Sequence, residues 1–248
     1  MTPQVTPAPP PIPKPMNEAS RLIGVFVSPG STFPDIVRRP RWWIPMILLG
    51  IMATVTAIAY GRHVGWERVV RQTIERSPRM DQLSAQQREQ AISAATRLAS
   101  YAGYAAGVNG ALSILIVSAV LIFLFNVLMS ADLKFPSVMG IVGYSFLPFL
   151  ISGALTMVVM FMKDPDDFDI QRPLAFNLGA FLPDSTPRWA IVGASSIDLF
   201  SFWIIALMAI GISSSVRKIS FTKAFITILF PWAIVVVLRV TLTALGLS

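Results

Sequence analysis

Two ionisable residues lie inside long apolar runs near the end of the chain. Asp198 lies in the run 189–212, and Arg239 lies in the run 221–247. Each run is long enough to cross ~30 Å of hydrocarbon as a helix that rises ~1.5 Å per residue. A carboxylate and a guanidinium in such segments can relay ions or protons, bind a polar substrate, or form a structural pair that fixes helix register.

Helix geometry predicts that these two charges reach the same depth. Asp198 lies nine residues after Trp189, and Arg239 lies eight residues before Leu247. In consecutive antiparallel helices this places them ~13 Å and ~12 Å below matching ends. Because a charge facing lipid costs at least ~2.5–3.5 kcal/mol, we expect both side chains to face the bundle interior and to pair or share a hydrogen-bond network. A structural pair is favoured over a transport site, since a lone pair makes no conduction path.

The composition indicates a membrane protein. Of 248 residues, 54% are hydrophobic and only 13% are charged, whereas soluble proteins carry about 25% charged residues. The net charge of +7 comes from basic residues scattered through loops that flank apolar runs. An orientation signal explains this pattern better than nucleic-acid binding, so we expect no nucleic-acid partner. The absence of cysteine excludes disulfides, cysteine-ligated zinc and thiol catalysis.

The order of apolar and polar segments predicts an all-α, polytopic bundle of five transmembrane helices within residues 18–248. Residues 1–17 form a proline-rich tail that we expect to be disordered. Residues 18–40 and 62–100 are expected to supply amphipathic helices that lie at the membrane surface. The predicted spans are about 42–60, 104–129, 138–162, 189–212 and 221–247.

Small and polar residues in the second span predict close helix contacts. Gly103, Gly107 and Gly110 form a small-residue face that favours helix packing over a pore. Asn126 is expected to bond to a neighbouring helix. In the insertion before this span, Ser84 and Gln87 have the spacing of a capping box and predict a helix start.

A proline in the third span predicts a kink. Pro148 follows Gly143, Tyr144 and Ser145 in mid-span. Proline removes one helical hydrogen bond, and the freed carbonyl in lipid needs a partner. We therefore expect this region to pack against protein. Such kinks can also be transporter hinges, but most are static.

Few residues are candidates for catalysis or metal binding. The sequence lacks HExxH, GxSxG, GxxxxGK[ST] and CxxC motifs, so we expect no enzyme and no cofactor. The single histidine, His63, is expected to be an interfacial side chain. The loop 163–188 is acidic and can bind a hard cation, but its spacing does not match an EF-hand, so a solvated loop is favoured and no metal site is expected. Its first acidic residues are Asp164, Asp166, Asp167 and Asp169.

The charge of the loops predicts the orientation. With the N-terminus in the cytoplasm, the inner segments hold nine Lys and Arg residues against three acids, and the outer segments hold ten against nine. Both short inner links are basic, which favours a cytoplasmic N-terminus and an external C-terminus. The arginines of residues 62–100 are the counter-argument, although four acids accompany them.

Three stretches resemble the Yip1 domain family, specifically its bacterial members. They are SPGSTFPDIVRRPRWWIP, GIVGYSFLPFLI and SSIDLFSFWIIALMAIGIS, the last continuing through KAFITILFPWAI. The resemblance implies a five-helix membrane bundle with a cytosolic N-terminus and supplies no catalytic residues. Eukaryotic members resemble adaptors that bind Rab-type GTPases, a role not carried over to a bacterial-looking sequence. Asp198, Tyr144 and Pro148 are the positions shared with the family pattern.

The function expected from the residues and the resemblance is a non-catalytic scaffold or adaptor in the cell membrane, here a bacterial inner membrane. Its expected partners are the lipid bilayer and either a membrane protein or a second copy. The alternative is a transporter, a channel or an accessory subunit of an export system that uses an Asp198/Arg239 site.

Overall fold

The computed structural model describes residues 15–74, 83–165, 168, 173–183 and 185–246, and the described part is almost entirely helical. The predicted disordered tail therefore lies almost wholly outside the described residues, as do three of the four acidic residues named in the loop 163–188. The helices are α1 (Glu18–Val27), α2 (Pro29–Arg38), α3 (Trp43–Ala59), α4 (Trp66–Ile74), α5 (Ala85–Tyr104), α6 (Ala106–Ile122), α7 (Phe135–Ser145), α8 (Pro148–Met162), α9 (Arg188–Ser196), α10 (Leu199–Ser215) and α11 (Phe221–Ala244). Single π-helical turns extend α3 to Val64 and α6 to Leu128, and Leu178–Phe181 forms a short 3-10 helix.

Four helical segments in the described part are long and apolar enough to cross a membrane. They match four of the five predicted spans, with ends shifted by a few residues. The segments are Trp43–Val64, Ala106–Leu128, Phe135–Met162 and Phe221–Ala244. The chain therefore contains the long apolar helices of a membrane protein.

The remaining predicted span, 189–212, is not a continuous helix. It is divided into α9 and α10 at Ile197 and Asp198. The loop before α9 satisfies backbone groups at this break, because the Leu178 N–H donates to the Ile197 carbonyl and the Leu199 N–H donates to the Phe176 carbonyl. α10 alone has 17 residues, or ~26 Å of helix. The structure thus supports four long spans and one broken apolar segment.

The N-terminal helices pack one face against the bundle, while their position relative to the membrane stays a prediction. α1 and α2 form an antiparallel hairpin in which any side chain at Gly24 would overlap Thr32. Phe33 and Ile36 of α2 are fully buried. A Cβ at Gly140 of α7 would lie 3.1 Å from Ile36, so helix and hairpin are in close contact. Part of the apolar surface of the hairpin therefore packs on the bundle.

The insertion 62–100 forms two helices as predicted, with residues 75–82 outside the described part. The capping box at Ser84 and Gln87 is confirmed at the start of α5. Arg71 of α4 bonds to Glu89 of α5 at 2.8 Å, which joins the two helices. Their position on the membrane stays a prediction.

The main core lies where α2, α6, α7 and α10 meet. Its buried side chains include Phe33, Leu121, Ile141 and Ile212. Gly211 of α10 allows this contact, since a Cβ there would lie 2.6 Å from Ile141 and 3.1 Å from Phe33. The hairpin α1–α2 is thus part of the hydrophobic core and not an appendage.

Candidate functional site

A buried cluster of charges holds the N-terminal hairpin on the bundle. At its centre is Arg21, whose side chain is 1% exposed. Glu18 precedes it by one helical turn, and Asp35 lies opposite it on α2. The Asn17 side chain caps α1 by accepting the Ser20 N–H at 2.7 Å, which fixes the start of the helix that carries Glu18 and Arg21.

The guanidinium of Arg21 is almost fully used in hydrogen bonds. Its Nε donates to Asp35 Oδ2 at 2.8 Å, and its Nη1 donates to Glu18 Oε1 at 3.0 Å and to the Arg39 carbonyl at 3.1 Å. Burial opposes the charge, but the hydrogen bond to Asp35 and the charges of Glu18 and Asp35 outweigh it and raise the pKa of Arg21. The arginine therefore stays charged, as a buried cation paired with two carboxylates can.

Tyr144 links this cluster to the third span. Its hydroxyl donates to Glu18 Oε2 at 2.7 Å, and the side chain is fully buried in α7. Arg41, at the entrance to α3, lies 3.1 Å from Glu18 Oε1. One carboxylate thus contacts α1, α7 and the link before α3, so the cluster clamps three parts of the chain together.

Sequence reasoning found only one member of this cluster. It identified Tyr144, but as part of a kink, and it missed Glu18, Arg21 and Asp35. The only local signal is the i,i+3 spacing of Glu18 and Arg21. Asp35 joins through a tertiary contact fourteen residues away from Arg21, for which the sequence holds no periodic signal.

The region around Pro148 interrupts the helix, as predicted. α7 ends at Ser145 and α8 begins at Pro148. Gly143 packs against the entrance of α3, where a Cβ would lie 3.0 Å from the Pro45 ring and 3.5 Å from the Trp42 carbonyl. Ser145, two residues further along, is fully buried. The kink is therefore packed against protein.

Two of the three predicted packing glycines lie in tight contacts. A Cβ at Gly107 would lie 3.0 Å from the Gly50 carbonyl oxygen and 3.0 Å from Thr54 Oγ1, so α3 and α6 approach closely. Gly103 accommodates the Trp66 ring. Gly110 has open space at its Cβ position, so the small-residue face is narrower than predicted.

Asn126 bonds within its own connection and not to a neighbouring helix as predicted. Its side chain donates to the Leu133 carbonyl at 2.9 Å and accepts the Leu133 N–H at 2.8 Å. This pair of hydrogen bonds closes the turn between α6 and α7. Ser130 and Asp132 in that turn have φ values of 48° and 55°, a backbone conformation that few residues other than glycine adopt.

The structure does not bring Asp198 and Arg239 into an ion pair. Asp198 caps α10, and its carboxylate accepts the Ser201 N–H at 2.9 Å. Arg239 is exposed on α11, eighteen residues or ~27 Å from Phe221. That distance approaches the ~30 Å thickness of the hydrocarbon layer. The long side chain of Arg239 can therefore extend into the far membrane interface and needs no carboxylate partner. A functional role for either residue stays a prediction.

The remaining polar candidates form no metal-binding group within the described residues. His63 lies in the π-helical turn after α3, and its ring contacts Phe161 with 4.9 Å between ring centroids. This aromatic contact places His63 beside α8 at the end of the first span.

Comparison with known proteins identifies the family. No curated protein and no solved structure matches the chain. The family model for the Yip1 domain matches residues 23–242, which is nearly the whole chain. The match includes α2, the kinked third span and the broken α9–α10 segment. Together with the four long apolar helices, it shows that this chain is an integral membrane protein that belongs to the Yip1 domain family.

Proposed function

We propose that the protein is a non-catalytic scaffold or adaptor of a bacterial inner membrane, which organises partner proteins or membrane shape. The observation that carries this proposal is that the charges of the buried cluster hold the N-terminal hairpin in place. Arg21 binds both Glu18 and Asp35, and the Tyr144 hydroxyl donates to Glu18, which holds the hairpin to α7. Buried charge in this arrangement gives the hairpin a fixed position, which is what a binding platform needs.

The fixed hairpin presents apolar side chains outward. Ile23 and Val27 of α1 are exposed, at 63% and 77%, while Arg21 and Val25 of the same helix are buried. We propose that this face of α1 contacts a membrane-protein partner or a second copy of the chain. Clustered apolar side chains on a rigid element are typical of interaction surfaces.

Affinity purification in mild detergent tests this proposal. We expect the tagged protein to retain a stoichiometric partner, identified by mass spectrometry, and the double variant Ile23→Ser/Val27→Ser to lose it. The matched control is Leu98→Ser/Tyr101→Ser, which changes two equally exposed residues of α5. Recovery of the same proteins with both double variants would refute a role for α1, and recovery of lipid alone would refute the adaptor function.

We further propose five spans, with α9 and α10 together forming the fourth crossing. This arrangement places the N-terminus in the cytoplasm and the C-terminus outside, in agreement with the basic inner links. Because the chain has no cysteine, single cysteines at positions 2 and 247 can be labelled with an impermeant maleimide. Labelling from opposite faces is expected, and labelling from the same face would refute five crossings.

Transport is a second candidate function, and the break at Asp198 is the observation that favours it. Discontinuous helices with a polar residue at the break form substrate sites in many transporters. Asp198 starts α10 at such a break. Solute flux can be measured in vesicles that contain either the wild-type protein or the Asp198→Asn variant. Loss of flux in the variant, with normal insertion of the protein, would favour transport over the scaffold function.

A further inference from the structure

A groove with basic walls opens at one end of the bundle. It has a volume of about 800 Å³ and lies between the end of α2, the turn before α7 and the turn between α10 and α11. Four cationic side chains and one acidic side chain line it. They are Arg38, Lys134, Arg217, Lys218 and Asp132.

The cations of this groove are available for a ligand. Arg38, Lys134, Arg217 and Lys218 are all exposed, and no ion pair within the described residues involves them. Lys218 donates a hydrogen bond to the Ser130 carbonyl, which fixes its side chain at the rim. α7 also begins at this groove, with Lys134 at its N-cap. The positive end of its helix dipole adds to the attraction of an anion.

An apolar groove continues from the basic one. It has a volume of about 510 Å³ and shares Lys218 as a wall. Its other walls include Met129, Ile226 and Thr227, with Lys223 at the edge. Ile226 is 60% exposed on α11, a helix long and apolar enough to cross the membrane. The apolar groove therefore adjoins both the cationic groove and a membrane-spanning helix.

We propose that these two grooves together bind an anionic phospholipid. The phosphate lies among the cations of the basic groove, and an acyl chain lies in the apolar groove against Ile226. Basic pockets between transmembrane helices at a membrane surface bind anionic headgroups in this way. The continuity of the two grooves through Lys218 favours a lipid over an acidic protein segment, which would have no use for the apolar part. This inference rests on the membrane embedding of the chain and is independent of the scaffold function.

Native mass spectrometry of the full chain tests the proposal, with phosphatidylglycerol and phosphatidylcholine of identical acyl chains as probes. The test variant is Arg38→Gln/Lys134→Gln/Arg217→Gln. The matched control, Arg62→Gln/Arg97→Gln/Lys163→Gln, removes three exposed cations outside the groove. We expect wild type and control to prefer phosphatidylglycerol equally. Because each cation near a lipid surface contributes roughly fivefold to binding, the test variant should bind it roughly 100-fold more weakly.

A second variant tests the acyl-chain part. Ile226→Trp fills the apolar groove from an exposed position, so the fold should tolerate it. Weaker retention of phosphatidylglycerol with unchanged charge is expected. Equal binding of inorganic phosphate and of phosphatidylglycerol would overturn the lipid assignment in favour of a free anion site. The proposal would also be overturned if the triple test variant kept the wild-type preference for phosphatidylglycerol, or if the control variant lost that preference equally. Retention of an acidic protein instead of lipid by the wild type, with loss of that protein in the test variant, would overturn it as well.

Discussion

Removal of the Arg21 guanidinium should release the N-terminal hairpin from the bundle. In Arg21→Met, the carboxylates of Glu18 and Asp35 and the Arg39 carbonyl lose their shared donor. Breaking a buried pair by removing one partner costs ~3–5 kcal/mol. Glu18 and Asp35 are 24% and 17% exposed, so water can partly solvate them. We therefore expect a loss of about 2–4 kcal/mol, borne by the hairpin rather than by the whole bundle.

A cysteine-accessibility assay measures this opening directly, because the chain has no native cysteine. Ser137 of α7 is 8% exposed, and its hydroxyl donates to the Val37 carbonyl at 3.2 Å, so the hairpin covers it. Ser137 also lines the basic groove, so a Ser137→Cys thiol should react slowly with maleimide in the folded state and much faster when the hairpin leaves α7. Since ~1.4 kcal/mol is a factor of ten, Arg21→Met should accelerate labelling roughly 30- to 1,000-fold in this background.

Arg41 provides the matched control, because it contacts the same Glu18 carboxylate from a side chain that is 57% exposed. An exposed ion pair contributes ~0–1 kcal/mol, so Arg41→Met should accelerate labelling by less than roughly sixfold. Adding Glu18→Gln and Asp35→Asn to Arg21→Met should recover part of the protection, since the stranded charges are then gone. Wild-type labelling rates in Arg21→Met, or equal acceleration in Arg41→Met, would refute the clamp.

Three further contacts are tested by thermal unfolding in detergent. Gly107→Ala should lower the free energy of unfolding by about 1–3 kcal/mol, because the new Cβ meets the backbone of α3. The control Gly110→Ala should raise it by about 0.5–1 kcal/mol through helix propensity alone. Equal effects of the two substitutions would contradict the tight α3–α6 contact. Asp198→Ala should lower the free energy of unfolding by about 0.5–2 kcal/mol, because it removes the N-cap of α10. Adding Arg239→Leu should not restore this stability. Measurable coupling between the two substitutions would instead show that Asp198 and Arg239 form a pair. Asn126→Leu should lower the free energy of unfolding by about 1–3 kcal/mol for each of the Leu133 N–H and carbonyl groups that loses its hydrogen-bond partner. An unchanged melting temperature would show that other contacts hold the α6–α7 turn.

Features of the structure that depend on local sequence could be predicted. The positions of the four long spans follow from hydropathy, and the start of α5 follows from the Ser84–Gln87 spacing. The interruption before Pro148 follows from the ring's missing N–H. Each of these signals lies within one element, so no knowledge of packing is needed to read it.

Burial of the hairpin could not be predicted, because an amphipathic helix has the same pattern whether its apolar face meets lipid or protein. What decides the outcome is the fit of Phe33 and Ile36 against Gly211 and Gly140, four residues far apart in the chain. Arg21 is one of the nine basic residues counted on the inner side, yet its side chain is buried. Its burial is possible only because α2 brings Asp35 to it.

The break at Asp198 did have a local signal that hydropathy concealed. Asp is a preferred N-cap residue, and the Ser201 N–H lies three residues later. In a window averaged over eighteen or more apolar residues, one such cap changes the mean very little. The error was to treat the carboxylate as a buried charge in need of a cation, when a helix N-terminus already satisfied it.

The positions of the charges indicate where interactions of this protein should be sought. Asp198 and Arg239 lie at comparable distances from the basic turn, near the far side of the bundle, and each has a local explanation. At the opposite end, the clamp at Arg21 fixes α2, and α2 in turn supplies Arg38 to the basic groove. Loss of the clamp should therefore displace one wall of the lipid site as well as the exposed face of α1. If Arg21→Met weakens phosphatidylglycerol retention while Arg41→Met does not, the two features belong to one cooperative unit.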